Sequence, residues 1–213
     1  MDFEERKKLF NIRNTVIEML EDRNYVIPDS EIINFDEFTL KFKNKNIDIF
    51  IDNSTNNSAD NSTDDVGTTN KVYVYFHNEN KTLSKVDLKN LLSKLIDNYN
   101  DENIKVIILL KERGNGSIFK ELNKEIYKNV EIFMNKNMII NITKHELVPK
   151  HILLTSEEED ELLEKYSTTK NKLPKILKSD PVAMYYGMKP NQVCKIIRKS
   201  PEVGDYVYYR LVK

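Results

Sequence analysis

Apolar residues recur along this chain with two alternating periods. In residues 3–20, Leu9, Ile12, Val16 and Leu20 share one face, with Phe10 and Ile17 beside it, which predicts an amphipathic helix. From 36 to 52 the period drops to two: Phe38, Leu40 and Phe42, then Ile47, Ile49 and Ile51, separated by Asn44-Lys45-Asn46. That alternation predicts two strands, or one bulged strand. "KVYVYFH" (71–77) reads as the next strand. Ser84 with Asp87 forms a capping-box-like start to a helix buried through Leu88, Leu91, Leu92, Leu95, Ile96 and Tyr99. "IKVIILLK" (104–111) is an unbroken apolar run, as expected of a strand covered on both faces. Ile118, Leu122 and Ile126 predict a helix over 117–128, and "NMIINIT" (137–143) a further strand. Strand and helix thus alternate over residues 1–143, which predicts an α/β layer domain.

Two stretches depart from this rhythm. "DNSTNNSADNSTDDVGTTN" (52–70) is polar, of low complexity and nearly free of apolar residues. It offers too little apolar surface to offset ordering entropy, so a flexible insertion is expected. Residues 144–213 form a second domain of small α+β type. Pro149 bars a regular helix through "HELVPKHILL" (145–154). Thr155 with Glu158, or Ser156 with Glu159, makes a capping box for the helix that follows. In "SDPVAMYYGMK", Asp180 is suited to the N-cap, Pro181 to the first helical position, and Gly187 to the positive-φ residue after the last turn. A short helix over 181–186, sealed at both ends, follows from these three caps. "QVCKIIRK" (192–199) and "DYVYYRLVK" (205–213) alternate, and Gly204 between them predicts an antiparallel pair.

Composition narrows the chemistry. The 213 residues carry a net charge of −1, with 39% hydrophobic and 31% charged residues. A chain that grips nucleic acid alone normally has a marked basic excess, because phosphate neutralisation supplies most of the affinity. Sole, tight nucleic-acid binding is therefore disfavoured. No run reaches the ~18 apolar residues of a membrane span, and "MDFEERKKLF" has no apolar core of a signal peptide. Cys194 is the single cysteine, so neither an internal disulfide nor a cysteine-based zinc cluster is available, and a reducing compartment is the natural expectation.

Catalytic constellations are not evident. Cys194 lies mid-strand without a neighbouring base, and His77, His145 and His151 have no metal-ligand spacing. Asp48 and Asp52 would suit the first acid of a metal-dependent nuclease. The following strand, however, reads "VYVYFHNEN" where an acid-x-Lys would hold metal and activate water. Gly114-Asn115-Gly116-Ser117 sits between a buried strand and a helix, where backbone N–H groups meet phosphates, but it is neither a P-loop nor a dinucleotide fingerprint. No cofactor is expected. Tyr185, Tyr186, Tyr206, Tyr208 and Tyr209 cluster with Lys195, Arg198 and Arg210, a composition shared by interface hot spots and by cores with snorkelling cations.

Residues 139–213 resemble the fifth common subunit of the eukaryotic nuclear RNA polymerases, and this part is also similar to the corresponding small subunit of archaeal RNA polymerase. The likeness rests on His145-Glu146-Leu147-Val148-Pro149, Leu173-Pro174, Ser179-Asp180-Pro181-Val182-Ala183, Tyr186-Gly187, Lys195-Ile196-Ile197-Arg198 and Tyr209-Arg210-Leu211. Residues 1–138 resemble the family's N-terminal domain in length and element order. The resemblance implies a non-catalytic subunit shared by polymerases I, II and III, located in the nucleus, or in a viral factory or virion if the source is a large DNA virus. It implies a C-terminal assembly domain (144–213) docked on the largest subunit, with Tyr185, Tyr186, Lys195, Arg198 and Arg210 as candidate interface residues. It also implies an N-terminal jaw, similar to a truncated restriction endonuclease, beside downstream duplex DNA, with Gly114–Ser117 as a candidate DNA-proximal turn. The family's usual Thr-Pro-Ser at that turn, its Lys-Arg-Gly at 189–191 and its Gly-Arg at 204–205 are replaced here by Gly-Asn-Gly-Ser, Lys-Pro-Asn and Gly-Asp. A nuclease-fold phosphodiesterase or a free-standing adaptor with the same C-terminal module is the alternative.

Overall fold

The computed structural model describes residues 2–44, 46–53, 71–77, 82–99, 101, 103–111, 118, 127–200 and 204–213. Most of the 52–70 insertion, the Gly114–Ser117 turn and nearly all of the helix expected over 117–128 lie outside the described residues. The chain divides into two compact units, Met1–Ile140 and Asn141–Lys213.

In the first unit, α1 (Phe3–Asp22) and α2 (Phe35–Lys43) precede a four-stranded sheet of β1 (Ile49–Asp52), β2 (Lys71–His77), β3 (Lys105–Leu110) and β4 (Val130–Met134). The strands lie in that spatial order. β1 runs antiparallel to β2, while β2, β3 and β4 are parallel, with α3 (Lys85–Tyr99) in the β2–β3 crossover. Ser84 opens α3 as its composition predicts: its hydroxyl accepts from the Asp87 N–H at 3.2 Å, and Asp87 Oδ2 accepts from the Ser84 N–H at 3.1 Å. On the α3 side of the sheet, Val106, Ile108 and Leu110 join Leu88, Leu95 and Ile132 in one core cluster. Ile107 and Leu109 take the other side, level with Glu131 and Phe133 of β4. There Arg23, just past α1, pairs with Glu131 at 2.9 Å and lies 5.9 Å from the Phe133 ring centre. Burial alone would raise the Glu131 carboxyl, but Arg23 and Lys105 hold it below its ordinary value.

Two sequence expectations are corrected here. Residues 35–43 are helical, not a strand. Asn34 Oδ1 accepts from the Glu37 N–H at 2.9 Å while Glu37 Oε2 accepts from the Asn34 N–H at 3.0 Å, a reciprocal box that starts a helix. Phe35 and Phe38 then meet Phe10 of α1 at 5.5 and 5.4 Å, and Leu40 faces outward. Helix–helix packing of aromatic rings overrides the apparent alternation. Residues 137–143 are likewise not a strand; the fourth strand lies earlier, at Val130–Met134. Asn141 Oδ1 accepts from the Thr143 N–H and hydroxyl, folding the chain into a 3-10 turn at Ile142–Lys144 and leaving Ile140 73% exposed. Glu131 broke the apolar pattern of the true strand.

The second unit is built on a sheet of spatial order β5 (Lys150–Leu153), β7 (Val193–Ser200), β8 (Gly204–Val212), β6 (Lys175–Ile176). β5–β7 and β7–β8 are antiparallel and β6–β8 is parallel. α4 (Ser156–Lys165) covers one face through Leu162, beside Val193 and Leu211. α5 (Pro181–Tyr185) covers the other through Ala183, beside Cys194, Ile196 and Val212. Of the two capping boxes compatible with the sequence, Thr155 with Glu158 is the one formed. Glu159 is thereby free to reach the sheet. Its Oε1 accepts from the buried Val193 N–H at 2.8 Å, and Lys170 neutralises it. Among the described residues no helix is long and apolar enough to cross a membrane.

Candidate protein-docking surface

Local chemistry sets α5 rigidly beside the sheet. Asp180 Oδ1 accepts from the Val182 N–H at 2.9 Å, Pro181 occupies the first turn, and Gly187 turns the chain away at φ 63°. The Met188 N–H then returns to the Ala183 carbonyl at 2.9 Å.

The β7–β8 register sorts the candidate residues by face, because directly opposed residues point the same way. Cys194, Ile196 and Arg198 oppose Arg210, Tyr208 and Tyr206, all on the α5 side. Lys195 opposes Tyr209 on the α4 side. Tyr186 is half-buried against the α5-side core. Along β8, the Tyr206 and Tyr208 rings stack at 5.7 Å, and the Arg210 guanidinium lies 5.7 Å from the Tyr208 ring centre while donating to the Lys175 carbonyl at 3.1 Å. Tyr186, Arg198 and Arg210 therefore share one side, and Lys195 belongs to the other.

Tyr185 does not belong to a surface at all. It is 2% exposed, and its hydroxyl accepts from Asn141 Nδ2 at 2.9 Å. Its place among candidate interface residues is corrected to a core position, because the sealed helix turns this side chain inward onto Asn141. Sequence reading missed Asn141, which lies outside any motif, and offered Glu159 only as an alternative capping-box partner of Ser156, not as an acceptor for the Val193 N–H. Cys194 is buried, which pushes its thiol up to about 11 and leaves it unreactive at neutral pH.

The acids weighed for nuclease chemistry are engaged otherwise. Asp48 Oδ1 accepts from the Phe76 N–H at 2.9 Å and Oδ2 from the Tyr73 hydroxyl at 2.7 Å, so the carboxylate ties the start of β1 to β2. Burial raises the Asp48 pKa above the ordinary 3.8, and the Phe76 and Tyr73 hydrogen bonds offset only part of that rise. Between the unfolded and the raised folded pKa, the native state holds more proton than the unfolded chain. This carboxyl's contribution to stability therefore falls as pH rises through that window. Urea unfolding of wild type and Asp48→Asn at about pH 4 and pH 7 checks the sign. The wild type is expected to lose ground to the amide variant as pH rises, and a gain would contradict the assignment. Among the described residues no group of three or more His, Cys, Asp or Glu could hold a metal ion.

Both units match models of RNA polymerase subunit domains: RNA polymerase Rpb5, N-terminal domain, over residues 3–95, and RNA polymerase Rpb5, C-terminal domain, over residues 140–212. The chain belongs to the Rpb5 family of RNA polymerase subunits. It is 34% identical over 219 residues to the DNA-directed RNA polymerases I, II, and III subunit rpabc1 of Dictyostelium discoideum, covering 98% of each chain. It is 30% identical to subunit RPABC1 of Caenorhabditis elegans, covering 98% of this chain and 97% of that one. It is 32% identical to the DNA-directed RNA polymerase subunit 5-like protein 1 of Arabidopsis thaliana, covering 97% of this chain and 96% of that one.

Proposed function

We propose that this chain is a non-catalytic shared subunit of DNA-directed RNA polymerases I, II and III, working in the nucleus. The observation that carries the reading is the full-length similarity to relatives bearing that subunit name, with both family models in their expected order. It favours the subunit over a phosphodiesterase or a free-standing adaptor. The C-terminal unit docks on the largest subunit, using Tyr186, Arg198 and Arg210 on the α5 side of its sheet. The N-terminal unit is a jaw with a restriction-endonuclease-like fold, lying beside downstream duplex DNA. Two facts support its lack of cleavage chemistry. Asp48 accepts from the Phe76 N–H and the Tyr73 hydroxyl, and β2, reading KVYVYFH, has Tyr, Val and Phe where an acid-x-Lys is required.

Affinity purification of the tagged full chain tests this reading. The two largest polymerase subunits are expected to co-purify at unit stoichiometry. Incubating the purified chain with magnesium and duplex DNA is expected to leave the DNA intact. Sustained cleavage, or recovery of the chain free of polymerase, would overturn the proposal.

A further inference from the structure

The hydrogen-bond register of β8 leaves a specific feature at the rim of the C-terminal sheet. Val212 uses its N–H and carbonyl toward Gln192 and Asn191, on the β7 side. Leu211 and Lys213 donate the other way, to Pro174 and Ile176. Because backbone groups alternate along a strand, the even residues of β8 face β7 and the odd residues face outward. β6 is only two residues long and pairs only with Leu211 and Val212. Upstream of that, the N–H and carbonyl groups of Asp205, Val207 and Tyr209 point away from β7, and among the described residues no strand pairs with them. The side chains there are exposed as well, Tyr206 by 40% and Val207 by 44%.

An open edge of this length is a template for another strand. Natural edges are commonly blunted by proline, a bulge or an inward-pointing charge. Over 205–209, "DYVYY" contains no proline, and Gly204 to Leu211 pairs with β7 without a register break. The charge on the sheet selects the occupant. Its strands carry Lys150, Lys175, Lys195, Arg198, Lys199 and Arg210 against the single acid Asp205. Two such edges would repel one another, whereas an acidic segment would be attracted.

We infer that the outer edge of β8, at Asp205–Tyr209, receives an extended acidic segment of a partner polymerase subunit, which adds a strand to the sheet upstream of β6. The inference rests on the reading of the chain as a polymerase subunit, and adds the mode of attachment and the chemistry of the partner. Main-chain pairing supplies the affinity and alternate side-chain contacts supply the selectivity.

Val207→Pro tests it. Proline deletes an outward N–H and fills the edge, while leaving the β7–β8 ladder untouched, as edge prolines do. In the tagged full chain, Val207→Pro is expected to retain the far-ultraviolet circular dichroism of wild type and to recover at least about tenfold less of the largest polymerase subunits. Val207→Thr keeps the N–H and is expected to recover them fully. Arg198→Glu is expected to weaken recovery severalfold and to lessen its salt sensitivity. Hydrogen exchange in the wild type provides a readout if Val207→Pro does not fold: the peptide spanning Asp205–Tyr209 is expected to gain protection on assembly. Undiminished capture by a folded Val207→Pro, or unchanged exchange on assembly, overturns the edge proposal while leaving the subunit reading intact. Undiminished capture by Arg198→Glu overturns the acidic partner. A wild-type dimer that Val207→Pro dissolves assigns the edge to a second copy and overturns the proposal. A wild-type chain that captures no polymerase subunit overturns the subunit reading, and this inference with it.

Discussion

Glu31→Ala is expected to destabilise the protein by about 3 kcal/mol, the order found when one partner of a buried ion pair is removed. Arg13 lies in the middle of α1 with no exposed surface. One guanidinium nitrogen donates to the Glu31 carbonyl at 2.8 Å, and the other pairs with the Glu31 carboxylate. Lys41 of α2 approaches the same carboxylate at 3.6 Å. Burial lowers the Arg13 pKa, and Glu31 works against that shift. Removing the carboxylate leaves a desolvated cation with only a carbonyl for company, and sets Lys41 facing it without an intervening anion. Arg13→Met removes the charge together with its need for a partner, so it is expected to cost less than Glu31→Ala despite deleting the larger group. Chemical denaturation of the two single variants and the double variant decides the matter. Equal or reversed costs would show that the pair is not the clamp between α1 and the 29–31 turn.

Phe38→Ala is expected to cost about 3–5 kcal/mol, and Leu40→Ala less than about 0.5 kcal/mol. Phe38 has no exposed surface and packs at 5.4 Å on Phe10 and 6.2 Å on Phe42, whereas Leu40 is 60% exposed. The contrast is diagnostic of the local structure. In a strand, residues 38, 40 and 42 would share one face and suffer alike. In α2 the 38-to-42 spacing is one helical turn, and Leu40 falls on the opposite side. Thermal melts of the two variants check the difference. Similar losses at both positions would favour the strand.

These two regions also mark where sequence reading succeeded and where it stopped. The start of α3 at Ser84, a capping box at Thr155 or Ser156 and the run 105–110 were legible because each is specified within a few residues; the structure chose Thr155. α2 was not legible, although its capping box at Asn34 and Glu37 was present in the letters. The evenly spaced Phe38, Leu40 and Phe42 mimic a strand, and packing on Phe10 of α1 adds the tertiary contact that favours the helix. β4 was missed because Glu131 interrupts its apolar run, and the reason a charge is tolerated there is Arg23, 108 residues away. On the C-terminal sheet, the mixture of tyrosines and cations could be read, but not its division. Tyr185 goes to the core with Asn141, and Lys195 parts from Arg198 and Arg210 by the strand register.

The amino-acid order by itself settled the caps at Asp180 and Pro181, the buried β3 run and the family resemblance, since these depend on neighbours along the chain. Tertiary structure alone decided which side chains reach solvent, where the fourth strand forms and which edge of β8 lacks a partner strand among the described residues. Those outcomes depend on partners brought close by folding, and the pairing energy of such contacts outweighs the local preferences of a few residues.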